Sequence, residues 1–170
     1  FLGRRLLQEY QIMRLIVFLD PNIDPRGAGW NIIQSVTAVG SGGIAGKGWL
    51  RGTQSHLQYL PQQSTDFIFS ILAEEWGFIG ALFVFLCFAA IVARGLIIAS
   101  KAKDNYAALS AVGVVTMISF HVAVNVGMAI GIMPITGIPL LFLSYGGSSL
   151  WSALVSIGIL MSIYQRRFRY

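Results

Sequence analysis

Charge is what this chain has least of. Only 11% of its residues are charged, 55% are hydrophobic, and the mean hydropathy is +0.69. Soluble domains carry roughly a quarter charged residues, so a soluble globular class is excluded. Cysteine is nearly absent too: Cys87 stands alone, with no disulfide partner and no second Cys at metal-ligand spacing. Its place in the middle of an apolar run reads as a small buried hydrophobe. The order Gly-x-x-x-x-Gly-Lys-Ser/Thr is missing, which excludes a Walker phosphate loop. The excess of 12 Lys and Arg over 7 Asp and Glu forms no nucleic-acid footprint. The basic residues lie beside apolar segments, where they mark membrane topology. No initiator Met and no signal-peptide pattern opens the chain. It begins mid-pattern at Phe1-Leu2-Gly3-Arg4-Arg5, as expected of the C-terminal part of a larger polytopic protein.

What is present is long apolar runs. Three segments reach the roughly 20 residues that a helix needs to cross a hydrocarbon core: about 67–99, 107–133 and 137–163, the last interrupted near Ser144-Tyr145-Gly146-Gly147-Ser148-Ser149. The expected fold class is therefore an all-α polytopic membrane protein. Arg94, Lys101 and Lys103 follow the first span, and Arg166, Arg167 and Arg169 follow the third. Two helices separate these groups, so both fit the cytoplasmic side. Residues 21–66 then form a large extracytoplasmic loop, against which only Arg4, Arg5 and Arg14 argue. Residues 1–20 read as an interfacial amphipathic helix, with Leu6, Leu7, Tyr10, Met13, Val17 and Phe18 at helical spacing and a stop at Asp20-Pro21. A connection as long as 21–66, with Trp49 and Tyr59 in it, is expected to be folded and functional.

The polar residues that could carry chemistry cluster around that loop. Asp66 sits at the start of the first span, where it can serve as an N-cap or as a general base at the membrane surface. A capped Asp keeps a second oxygen, so the two roles are compatible. Gly46-Lys47-Gly48 places a cation between residues that let backbone amides approach a ligand, an arrangement suited to phosphate or pyrophosphate. The competing reading is a mobile loop with solvated charges. With Arg51 and Gln54, the loop is equipped to meet an anionic, lipid-borne substrate. Glu74 and Glu75 lie about two turns into the first span, where ionisable side chains are either paired or functional. Neighbours in sequence cannot share one helix face, so one is expected to meet the loop, through Lys47 or Arg51. His121 and Asn125, four apart, share a face and read as interhelical hydrogen-bonding groups. No further ligands stand at convincing spacing for a metal. The Ser144–Ser149 element breaks its helix, as a packing seam or as the wall of a cavity.

These residues together resemble the peptidoglycan polymerases of the shape, elongation, division and sporulation family. The segments that carry the resemblance include Phe18-Leu19-Asp20-Pro21, Gly27-Ala28-Gly29-Trp30-Asn31, Gly46-Lys47-Gly48-Trp49, Gly52-Thr53-Gln54, Tyr59-Leu60-Pro61, Thr65-Asp66-Phe67-Ile68-Phe69, Ala73-Glu74-Glu75, Val124-Asn125-Val126-Gly127-Met128, Gly137-Ile138-Pro139 and Ser144-Tyr145-Gly146-Gly147-Ser148-Ser149. Gly-Lys-Gly-Trp and Gly-Thr-Gln look like the elongation branch rather than the division branch. The resemblance implies a ten-helix fold of which this chain holds the last three helices. It implies polymerisation of lipid II into glycan strands during elongation, with Asp66 as the catalytic loop aspartate and Lys47 as a substrate contact. Arg51, Gln54, Glu74, Glu75 and Ser144 complete the expected substrate-binding set. The implied partners are a class B penicillin-binding protein and the rod complex of MreC, MreD and MreB, and the implied location is the bacterial inner membrane. No resident metal site is expected, although a divalent cation, Mg or Mn, could serve the pyrophosphate. Three positions depart from the family pattern: Gln62 stands for a frequent Glu, Leu141 for a Pro and Ile12 for a basic residue. Two other readings stay open, a flippase for lipid-linked precursors and a non-catalytic scaffold for a transpeptidase.

Overall fold

The computed structural model describes residues 9–24, 27–49 and 65–166. Five α-helices account for most of them: α1 (Glu9–Leu19), α2 (Ala28–Ser41), α3 (Ile68–Ser100), α4 (Asn105–Ala129) and α5 (Gly147–Arg166). A 3₁₀ turn at Pro21–Ile23 links α1 to α2. No strand occurs among the described residues.

α3, α4 and α5 are each long and apolar enough to cross a membrane. α3 has 33 residues and is broken at Gly77, whose φ of 64° and ψ of −160° lie outside helical space. Beyond the break, Phe78 to Ser100 rises about 35 Å at 1.5 Å per residue, slightly more than the ~30 Å hydrocarbon core. α3 and α4 are joined by a tight turn and pack along their lengths, and α5 lies against both. Their interior is small and aliphatic, with Ala73, Ala81, Phe88, Ile118, Val126, Leu140 and Ala153 buried together. Large apolar side chains such as Phe78, Phe83, Leu86 and Trp151 point outward and stay exposed. A helix that is apolar all round belongs in lipid or among further helices.

The helix bounds correct three expectations. The second span ends at Ala129 rather than near 133, because Ile130 leaves the helix and the chain turns through Gly131 at φ +75°. The third span begins at Gly147 rather than 137, and residues 137–140 carry no regular structure. Pro134 and Pro139, with no backbone N–H to give, are poor helix members there. Cys87 is exposed instead of buried, on the outward face of α3.

The loop expected over 21–66 contains a helix of its own. α2 buries Gly29, Ile32, Ser35, Ala38 and Gly42, a stripe at helical spacing. That stripe seats α2 on the start of α3 and the end of α4. Ser35 Oγ lies 2.6 Å from Ser70 Oγ and donates to the Ala129 carbonyl at 2.7 Å, so one buried hydroxyl ties three helices together. α1 is docked as well: Arg14 Nη1 donates to the Ile135 carbonyl at 3.1 Å.

Candidate functional site

The Gly-rich segment after α2 is built into the break in α3. In an unbroken helix the amides of Phe78 and Ile79 would bond the carbonyls of Glu74 and Glu75. Here those carbonyls accept instead from the amides of Lys47 and Gly48, both at 3.0 Å. The released amides of Phe78 and Ile79 donate to the carbonyls of Gly43 and Ile44, at 2.9 and 3.1 Å. Four hydrogen bonds replace two, so the carbonyls of Glu74 and Glu75 and the amides of Phe78 and Ile79 are all paired again, as a buried break requires. The approach is backbone to backbone. A Cβ at Gly77 would run into the Gly46 nitrogen, one at Gly46 into the Glu75 carbonyl, and one at Gly42 into the Ala73 carbonyl. These are close-approach glycines, and at Gly46 and Gly77 the positive φ adds a second reason.

The same docking joins two charges. Lys47 Nζ lies 2.9 Å from Glu74 Oε1, with the Glu74 side chain fully buried and that of Lys47 28% exposed. Burial of a carboxylate is tolerated only when it is paired. Of the two adjacent glutamates it is therefore Glu74 that meets the loop, through Lys47. Glu75 is half-buried, and its carbonyl receives Gly48. Trp49 packs edge-on against Trp76, their ring centroids 6.0 Å apart, which closes the loop over the break.

Asp66 lies just before the start of α3, on the same side of the break as Glu74, and is held differently. Its carbonyl accepts from Asn125 Nδ2 at 3.0 Å, and the same nitrogen donates to the Ile138 carbonyl at 2.9 Å. One residue earlier, the Thr65 carbonyl accepts from Ser144 Oγ at 2.6 Å, and that hydroxyl accepts from the Leu140 amide at 2.8 Å. His121 Nδ1 stands 3.1 Å from the Pro139 carbonyl. The polar side chains of α4 and of the turn before α5 thus stitch two irregular segments together, 65–67 and 137–144. The N-cap of α3 is Phe67, with no side-chain capping bond, so the capping role expected of Asp66 is not made. The Asp66 side chain is half-exposed and makes no hydrogen bond or ion pair among the described residues. Its Oδ2 faces the Gly137 backbone: a Cβ there would meet only that oxygen, at 3.5 Å.

Of the predicted site residues, Asp66, Lys47, Glu74, Glu75 and Ser144 lie within the described structure, while Arg51 and Gln54 lie outside it. Lys47 and Glu74 come together. Ser144 is buried, and its hydroxyl meets backbone groups on both sides. His121 and Asn125 do hydrogen-bond, but to irregular backbone instead of to a neighbouring helix. The sequence reading missed the break at Gly77 and the Ser35–Ser70 contact. Glycine within an apolar run gave only a weak signal. The stripe of small residues on α2 was the readable sign of Ser35. No group of three or more His, Cys, Asp or Glu among the described residues could hold a metal ion.

Three packed helices long and apolar enough to cross a membrane, with irregular segments fastened at one end by buried polar side chains, define a polytopic membrane protein. The sequence profile of the FtsW/RodA/SpoVE family of cell cycle proteins matches residues 2–168, and the chain belongs to that family. It is 60% identical over 98% of its length to the peptidoglycan glycosyltransferase RodA of Treponema pallidum (strain Nichols), covering 38% of that protein. It is 47% identical over 95% of its length to the peptidoglycan glycosyltransferase MrdB of Escherichia coli (strain K12), covering 44%. Among solved structures, a peptidoglycan synthase complex that coordinates polymerization and crosslinking superposes with a TM-score of 0.75 at 33% identity, over 96% of this chain and 44% of that one. A variant of the rod shape determining protein RodA of Thermus thermophilus gives 0.62 at 34% identity, over 75% and 40%. The chain thus spans less than half the length of the relatives it matches.

Proposed function

We propose that the protein of which this chain is part is a peptidoglycan glycosyltransferase that polymerises lipid II during cell elongation, with Asp66 as general base. The observation that carries the reading is the carboxylate itself. It is a lone acid at the end of a span, without a structural partner among the described residues, on backbone tied down on both sides. Relatives named as peptidoglycan glycosyltransferases support the reaction class.

The reaction forms a bond between the 4-hydroxyl oxygen of the acceptor sugar and the anomeric carbon of the donor, with inversion. The bond from that carbon to undecaprenyl pyrophosphate breaks, and its electron pair leaves on the pyrophosphate. The hydroxyl proton passes to the Asp66 carboxylate, a role worth roughly 10²–10⁴-fold. Lys47 and Arg51 stabilise the departing pyrophosphate, with Gln54 and Glu75 lining the approach. Glu74 acts through Lys47, and Ser144 through the backbone it holds. Among the described residues Asp66 has no companion acids with which to cage a Mg or Mn ion; a divalent cation carried by the pyrophosphate would supply the same charge stabilisation. Residues 21–66 face the extracytoplasmic side and the C-terminus the cytoplasm. The partners in this reading are a class B penicillin-binding protein, which crosslinks the strands, and the MreC, MreD and MreB rod complex.

The test is lipid II polymerisation by the full-length protein with its penicillin-binding partner, wild type against Asp66→Asn. Loss of glycan strands with the complex intact supports the base. Retained polymerisation removes that role. Retained lipid II translocation without polymerisation in the wild type would favour the flippase reading, to which the helix breaks at Gly77 and before Gly147 also belong.

A further inference from the structure

The carboxamide of Asn125 does something its position on α4 does not require. Its side chain is fully buried, and its single Nδ2 bridges the carbonyls of Asp66 and Ile138. It therefore sets the separation between the backbone that carries the carboxylate and the edge of chain at Gly137–Ile138. That edge is the one Asp66 Oδ2 faces. Among the described residues Asn125 Oδ1 finds no partner in its buried site, so the bonds of Nδ2 are the ones the side chain makes. The helix around it is otherwise apolar, with Val124, Val126 and Met128 also buried. Ser144 makes the parallel stitch one residue away, from Leu140 to Thr65. Two residues before Ser144, Phe142 is held at φ +68°, a conformation costly for an aromatic residue, inside the turn that Ser144 closes back to Leu140.

We infer that Asn125 and Ser144 are positioning residues: together they fix Asp66 against the Gly137–Ile138 edge and thereby set where the base can reach. The inference rests on Asp66 being the base. Neither side chain has to touch substrate. Loss of either leaves the fold largely in place but lets the Thr65–Asp66 peptides drift, and a displacement of about 1 Å at a reacting group can cost on the order of 10²-fold.

The experiment uses the full-length protein with its penicillin-binding partner and lipid II, and separates kcat from KM. Asn125→Ala is expected to lower kcat roughly 10- to 100-fold, with KM held within about threefold. Ser144→Ala is expected to lower kcat by about 10-fold, and Ser144→Thr, which keeps the hydroxyl, to restore most of it. Unchanged kcat in folded Asn125→Ala overturns the inference, and so does a loss carried by KM alone. Should Asn125→Ala not fold, the Ser144→Ala and Ser144→Thr pair decides by the same criteria. The two levels separate cleanly. If Asp66→Asn keeps activity, the base reading fails and this one with it. If Asp66→Asn is dead while Asn125→Ala and Ser144→Ala turn over like wild type, only the positioning role falls.

Discussion

The two ends of the helical unit are held together by different physics. At the end that carries Asp66, side chains cross from element to element through hydrogen bonds: Ser35 to Ser70 and Ala129, Asn125 to Asp66 and Ile138, Ser144 to Thr65, Lys47 to Glu74. At the opposite end Ala99, Ala111 and Leu160 pack with Ile98, Val114, Ile157 and Ile163. There the Ser100 hydroxyl donates to the Ile97 carbonyl of its own helix. Apolar packing suffices to keep three helices side by side in lipid, where association rests on close contact instead of water exclusion. It cannot fix irregular backbone, whose carbonyls and amides need named partners. In the proposed function the chemistry belongs to the stitched end, where a loop can be held still.

The contrast can be broken most severely at Gly77. Gly77→Ala forces a Cβ into the Gly46 backbone at a φ that side chains rarely adopt, and a loss of several kcal/mol is expected. Thermal unfolding of the full-length protein in detergent, together with its expression level, reads this. Next comes the ion pair. Lys47→Met alone leaves Glu74 buried without its cation and is expected to cost about 2–3 kcal/mol, less than for a pair buried on both sides. The double variant Lys47→Met, Glu74→Met should recover part of that stability. A double variant no more stable than the single would show that the pair is not the element holding the loop. Ser35→Ala removes two buried contacts and is expected to cost about 1–2 kcal/mol in the same assay. Leu160→Ala, at the apolar end, should cost about 1–2 kcal/mol, because lipid replaces part of the lost contact. Its turnover per folded molecule should be that of wild type.

Much of this was readable in the residues. Long apolar runs gave the three spans; the break expected at Ser144–Ser149 lies earlier, since α5 already begins at Gly147 and the stretch from 137 to 146 is the part that is not helical. Glu74 and Glu75, adjacent in an apolar helix, announced that one of them needed a partner, and Lys47 is one of the two loop cations within the same motif-bearing stretch. What could not be read was geometry made by backbone alone. Nothing in Trp76-Gly77-Phe78 says that a distant segment will take over two helix hydrogen bonds. Asn125 and Ser144 were visible as polar residues in apolar company, yet their partners are carbonyls, which every residue has and no side-chain pattern singles out. Asp66 was expected to cap its helix, and Phe67 takes that position instead.

The most direct measurement is a matched pair: lipid II polymerisation by full-length Asn125→Ala and Leu160→Ala, each normalised to its folded fraction. The account predicts a roughly 10- to 100-fold loss of kcat for Asn125→Ala and a wild-type kcat for Leu160→Ala. Equal losses, or none in either, would contradict the claim that the stitched end exists to hold Asp66.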